Sequence, residues 1–280
     1  MVKAVYINLD SAIERREAIE KFFDDSGKSG WSLLRQPAVN VSDSNYKGPR
    51  LCHTGAGRTL SPAEEGCYLS HRSVIDLYAG RDVPLLVLED DALLTSHSFE
   101  IIDGFLNSKE ADAWDLIFTD VIIPNSDGMV SLFKLKKSLA ERSLRVIDLS
   151  TLPFAGATAY VVKQGIASKL VEWLSEPVFE SMPYDMAIRK LIYERRLRAC
   201  VLFPFPTSVN AYANQSQIQD VNASTADLLW NTFRQMVWIG AEPTSFQKTL
   251  QAIEEMYVDE DGRALGIILS ALASQSYVPK

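Results

Sequence analysis

The chain has 280 residues, with 28 Lys and Arg against 36 Asp and Glu, for a net charge of −8. Hydrophobic residues at 47% and charged residues at 23% are globular proportions, which excludes a disordered chain, a collagenous one and a disulfide scaffold. The length fits one large domain or two modest ones, and the acidic balance gives no electrostatic footprint for duplex nucleic acid or anionic lipid.

In chain order, Val5-Tyr6-Ile7 is short and β-rich and predicts a strand. Ser11 and Glu14 have capping-box spacing, and the helix they predict carries Ala12, Ile19 and Phe23 on one face. The Gly-, Ser- and Asn-rich stretch from Val41 to Gly57 predicts a long exposed loop. A second capping box, Ser61 with Glu64, has Pro62 at the first helical position. Cys67, His71, Val74, Ile75 and Tyr78 then recur at helical spacing.

Pro84 to Leu88 is continuously apolar, the pattern of a strand covered on both faces. Further strands are expected at Asp115–Phe118 and Ala159–Val162, and helices at Gly165–Leu174 and Asp185–Arg195. From about Ser224 the pattern stays helical, with one stripe at Phe246, Leu250, Ile253 and Tyr257 and another at Leu265, Ile268, Leu269 and Leu272. The expected fold is an open, mostly parallel α/β sheet flanked by helices over residues 1–222, with a C-terminal helical layer over 223–280 packed on it. Ligands in such sheets sit beyond the carboxyl ends of the strands.

Cys52, Cys67 and Cys200 are scattered and cannot all pair, so they are expected as thiols in a reducing compartment. The N-terminus lacks the pattern of a signal peptide, and the apolar stretch ALGIILSALA is far shorter than the ~20 residues a membrane span needs. The expected location is cytoplasmic.

Glu89-Asp90-Asp91 follows the apolar strand directly. Adjacent carboxylates at a strand mouth repel one another and resist desolvation, so something positive should offset them. Clustered oxygen ligands favour a hard cation such as Mg²⁺ or Mn²⁺. Alternation along an extended segment turns Glu89 and Asp91 one way and Asp90 the other, so the metal-facing pair is Glu89 and Asp91. A solvated acidic turn is the alternative.

The segments INLDSAIERR, GCYLSH, LEDDALL, GATAYVV and MPYD occur in that order. In this the chain resembles glycosyltransferase family 25, the bacterial lipopolysaccharide and lipooligosaccharide galactosyltransferases and their relatives. The resemblance implies a GT-A-like nucleotide-binding fold and a UDP-sugar donor, usually UDP-galactose. It also implies a divalent metal, inversion at the sugar carbon, and a glycan or lipid-linked oligosaccharide acceptor. The basic tail common in bacterial members is absent from the ending QSYVPK, so membrane contact is expected to be weak and peripheral at most, at the inner face of the cytoplasmic membrane.

Within that resemblance, Asn8 and Asp10 end the first strand, where base and ribose would sit; ordinary turn chemistry is their alternative. Arg16 falls on the apolar face of the first helix, with Arg15 about 100° away, and needs a partner, either a carboxylate or the donor's phosphates. His71 is a core histidine or a neighbour of the donor. Gly156 permits close backbone approach of a ligand, or is a turn glycine. Asp185 caps a helix or serves as general base, with Asp120 the runner-up base. Glu89 and Asp90 complete the donor set, with Asp91 on the metal. The rival functions are a metal-dependent nucleotidyltransferase or phosphohydrolase, and a catalytically silent sugar-nucleotide or glycan-binding relative.

Overall fold

The computed structural model describes residues 2–26, 30–51, 59–140, 143–214 and 224–241, with isolated positions further on. In chain order the elements are β1 (Val2–Asn8), α1 (Ile13–Asp25), β2 (Trp31–Pro37), α2 (Pro62–Leu77), β3 (Leu85–Glu89), β4 (Ala92–Leu93), α3 (Ser96–Leu106) and β5 (Leu116–Phe118). There follow α4 (Ser126–Ser138), β6 (Arg145–Asp148), β7 (Ala159–Val162), α5 (Ala167–Leu174), α6 (Pro177–Glu180), α7 (Tyr184–Tyr193), β8 (Ala199–Phe203), β9 (Ser208–Val209) and α8 (Ser224–Val237).

Seven strands form one sheet in the order β2-β1-β3-β7-β5-β8-β6. β2, β1, β3, β5 and β8 run one way, and β7 and β6 run against them, so the sheet is mostly parallel as expected. Alternating side chains divide the core between its faces. Val5, Ile7, Leu85 and Val87 face the layer built by α2, α5 and α7, while Ala4, Tyr6, Leu86 and Leu88 face Ile19 of α1 and Phe99, Ile102 and Phe105 of α3. Burial on both faces explains why β3 is apolar at every position before Glu89.

The two capping boxes part company. At Ser61 the hydroxyl accepts from the Glu64 N–H (3.2 Å) and the Glu64 carboxylate from the Ser61 N–H (2.8 Å). At Ser11 no box forms: the Ala12 N–H donates to the Leu9 carbonyl (3.0 Å), the tight turn makes Ala12 the cap, and the helix starts at Ile13.

Five strands were not expected: β2, β6 and β8 of the seven-stranded sheet, and β4 and β9, which pair antiparallel in a small second sheet. β2 and β6 are edge strands with half-exposed, mixed faces that lack clean alternation. Of the long loop, 52–58 lie outside the described residues, as do Cys52, Phe246, Leu250, Ile253, Tyr257, Leu269 and Leu272; Leu265 and Ile268 are exposed. The last described residues of the loop are pinned by the buried Glu65, which accepts from Arg50 (2.8 and 2.7 Å) and from the Leu51 N–H (2.9 Å).

α2 seats itself by backbone contact. A Cβ on Gly66 would stand 2.4 Å from the Val39 carbonyl oxygen. The Ser70 hydroxyl donates to the Gly66 carbonyl (2.6 Å) and accepts from the Val39 N–H (2.8 Å). Helix propensity alone would make Gly66→Ala stabilising by roughly 0.5–1 kcal/mol. The overlap with backbone reverses the sign: the variant should lose about 1–3 kcal/mol in urea unfolding. A gain would contradict the close approach.

Candidate active site

Parallel pairing of β1 with β3 sets Ile7 opposite Glu89, so Asn8 and Asp90 leave the sheet side by side at its carboxyl edge. The Asn8 amide is buried and fully used: it donates to the Asp90 carboxylate (2.8 Å) and the Ala12 carbonyl (3.0 Å), and its oxygen accepts from Arg35 Nε (3.0 Å). Asn8 therefore positions Asp90. Asp10 is exposed and ion-paired with Arg35, outside the cleft.

A cavity of about 400 Å³ opens at this edge, lined by Asn8, Arg15, Ser70, His71 and the three acids. A second, about 360 Å³, is lined by Glu89, Asp91, Gly156, Asp185 and the α8 residues Asp227, Trp230, Asn231 and Arg234. Glu89 and Asp91 line both cavities and Asp90 only the first, consistent with their alternation.

Each acid is treated differently. Glu89 accepts from His71 Nε2 (3.2 Å). Burial alone would raise its pKa, but the His71 hydrogen bond and the charges of His71, Arg234 and Arg15 outweigh burial and hold the carboxyl below its ordinary value. Asp90 is bound by Arg15 Nη1 (2.9 Å) as well as by Asn8. Asp91 fares worst: its Oδ1 is buried without a hydrogen-bond partner, and the nearest Arg15 nitrogen to its other oxygen is 4.0 Å away. Burial and the Glu89 charge push Asp91 up to about 7. A hard cation fits this oxygen set, because it would supply the charge that Asp91 lacks.

The arginine in the cleft is Arg15, which also donates to the Tyr212 carbonyl (2.7 Å); Arg16 lies outside both cavities, where its charge reaches Tyr6. This reverses the expected facing of the pair. Residues three and four before Ile19 border the same apolar stripe, and with Ala12 outside the helix the periodicity could not choose between them.

His71 is buried, its Nδ1 hydrogen-bonded to the Tyr160 hydroxyl (3.0 Å), itself bonded to the Tyr184 hydroxyl (2.7 Å). The imidazole lies flat on the Tyr184 ring at 4.3 Å. It is a core histidine that holds an acid of the cleft.

Asp185 is the second residue of α7, whose cap is Pro183 without a side-chain bond. Its Oδ2 accepts from the Gly156 N–H (2.9 Å) and its Oδ1 from the Met186 N–H (2.9 Å). Gly156 has φ +79°, the left-handed region that favours glycine, and a Cβ there would press on the Ile122 side chain at 3.2 Å. Asp120 is fully buried behind the second cavity, ion-paired with Arg234. Burial raises its pKa despite that charge.

Arg15 and the α8 stripe had not been anticipated. Asp227, Asn231 and Arg234 fall at i, i+4 and i+7, all buried, a polar stripe that the sequence displays. Nothing local, however, points Arg234 at Asp120. As breaking a buried ion pair strands a charge, Asp120→Ala should cost about 3–5 kcal/mol in chemical denaturation. A cost near zero would mean that the pair is not formed in solution.

A human relative, inactive glycosyltransferase 25 family member 3, is 28% identical over 163 residues, 56% of this chain and 24% of that protein, so the chain spans about a quarter of its length. Solved structures with similarity include an active-site mutant of LgtC (13% identity, 71% of this chain and 72% of that one, TM-score 0.39) and mouse xyloside xylosyltransferase 1 (10%, 71% and 64%, TM-score 0.36). The family profile described as glycosyltransferase family 25 (LPS biosynthesis protein) matches residues 1–188, a span that takes in the β1 edge, the three acids, Gly156 and Asp185. The chain belongs to glycosyltransferase family 25.

Proposed function

We propose that the protein is an inverting, UDP-sugar-dependent transferase, moving a hexose such as galactose to a hydroxyl of a glycan or lipid-linked oligosaccharide. Family membership supports glycosyl transfer. The observation that carries the finer reading is the paired cavity whose shared wall is Glu89 and Asp91. The first cavity takes the nucleotide and the second the acceptor. Glu89 and Asp91 are the residues to hold Mn²⁺ or Mg²⁺, which when bound would neutralise charge on the diphosphate leaving group.

Arg15, held by Asp90 and the Tyr212 carbonyl, lines the first cavity and is the residue to bind the diphosphate in this reading. Asp185 accepts the proton of the acceptor hydroxyl as its oxygen attacks the anomeric carbon and the bond to UDP breaks. One displacement on the opposite face inverts the centre. No covalent enzyme intermediate is required.

Catalytic silence is the second reading, favoured by the human relative's description as inactive. A screen of UDP-galactose, UDP-glucose and UDP-N-acetylhexosamines against oligosaccharide acceptors separates the readings: a glycoside product supports transfer, nucleotide turnover without one supports a hydrolase, and binding without turnover supports silence. In Asp185→Asn the amide oxygen can still accept from the Gly156 N–H and only the exposed bond from the Met186 N–H is lost, so melting temperature should fall slightly at most while the transfer rate falls roughly 10²–10⁴-fold. Transfer at the wild-type rate would remove Asp185 from the role of base.

A further inference from the structure

The structure assigns a second kind of metal site at the wall of the cleft: we infer that Cys67, His71 and Glu89 form a three-ligand site for a thiolate-seeking divalent ion, zinc. Cys67 and His71 are one turn apart on α2, so they share a helix face, and Glu89 meets them from the end of β3. One ligand atom from each lies within 4.8 Å of the others. His71 Nε2 and Glu89 Oε1 are already 3.2 Å apart, close to the roughly 3.4 Å that separates donors around tetrahedral zinc with bonds of ~2.0–2.1 Å.

Sulfur, imidazole nitrogen and a single carboxylate oxygen form a zinc set, whereas Mg²⁺ and Mn²⁺ prefer oxygen alone. The support a ligating histidine needs is built. Tyr160 holds Nδ1, and Tyr184 stacks flat on the ring, aiming Nε2 at Glu89. Cys67 and Glu89 line both cavities, so an ion can reach the site and its fourth position opens on the cleft. On binding, the Cys67 thiol proton goes to solvent, and the imidazole proton moves from Nε2 to Nδ1, where it is donated to the Tyr160 hydroxyl while Nε2 takes the ion. The site stands apart from the transferase proposal. One consequence does rest on that proposal: zinc there takes Glu89 from the donor's cation and so inhibits transfer.

The test is titration of the full chain with Co²⁺ as a spectroscopic substitute, with no sugar nucleotide present. The wild type should show a thiolate-to-cobalt charge-transfer band and strong tetrahedral visible bands, both erased by one equivalent of Zn²⁺ and untouched by Mn²⁺. Cys67→Ser should lose the charge-transfer band, and Cys52→Ser and Cys200→Ser should keep it. No band in the wild type, or a band that survives in Cys67→Ser, would overturn the site. Should Cys67→Ser fail to fold, alkylation of Cys67 in the wild type, followed by peptide mass spectrometry, tests the same ligand. Zn²⁺ should slow it and Mn²⁺ should not; equal rates with and without Zn²⁺ would overturn the site.

Discussion

Three consecutive carboxylates at the mouth of a buried strand are the constraint on which the rest depends. Left alone they would repel one another in a place with little water. The fold answers each from a different direction: α2 brings His71 to Glu89, β1 and α1 bring Asn8 and Arg15 to Asp90, and Asp91 is left with an oxygen that nothing described satisfies. That graded treatment separates a structural cluster from a poised one. Two acids are fixed, and the third retains an unmet demand for positive charge.

The supports come from far apart in sequence. Gly66 lets α2 sit against Val39, which fixes His71; His71 in turn leans on Tyr184, the residue beside Asp185. The helix that carries the candidate base is thereby packed on the side chain that holds Glu89. Asp185 ties the same helix to Gly156, on the segment leading into β7, the strand paired with β3. Small displacements of α7 would reach both cavities.

Much of this was legible in the sequence, and for local reasons. An apolar run that stops at charges marks a two-face buried strand and its edge, which located β3 and the acids. Pro62 with the Ser61–Glu64 pair fixed the start of α2 to the residue. Legibility failed where the decision was not local. Whether Arg15 or Arg16 enters the cleft turns on where α1 begins, and a Leu9–Ala12 turn overrode the Ser11 box. The Arg234–Asp120 pair joins residues 114 positions apart. The half-exposed edge strands β2 and β6 carry no period to read, whereas the apolar run of β8 was there to be seen.

The central claim is that Asp91 binds a cation and that the cation serves a nucleotide diphosphate. Calorimetry of UDP binding with and without Mn²⁺, above about pH 7 where Asp91 is ionised, tests it most directly. The account predicts binding that depends on Mn²⁺ and is lost in Asp91→Ala while that variant stays folded. Equal UDP affinity with and without Mn²⁺ would contradict it.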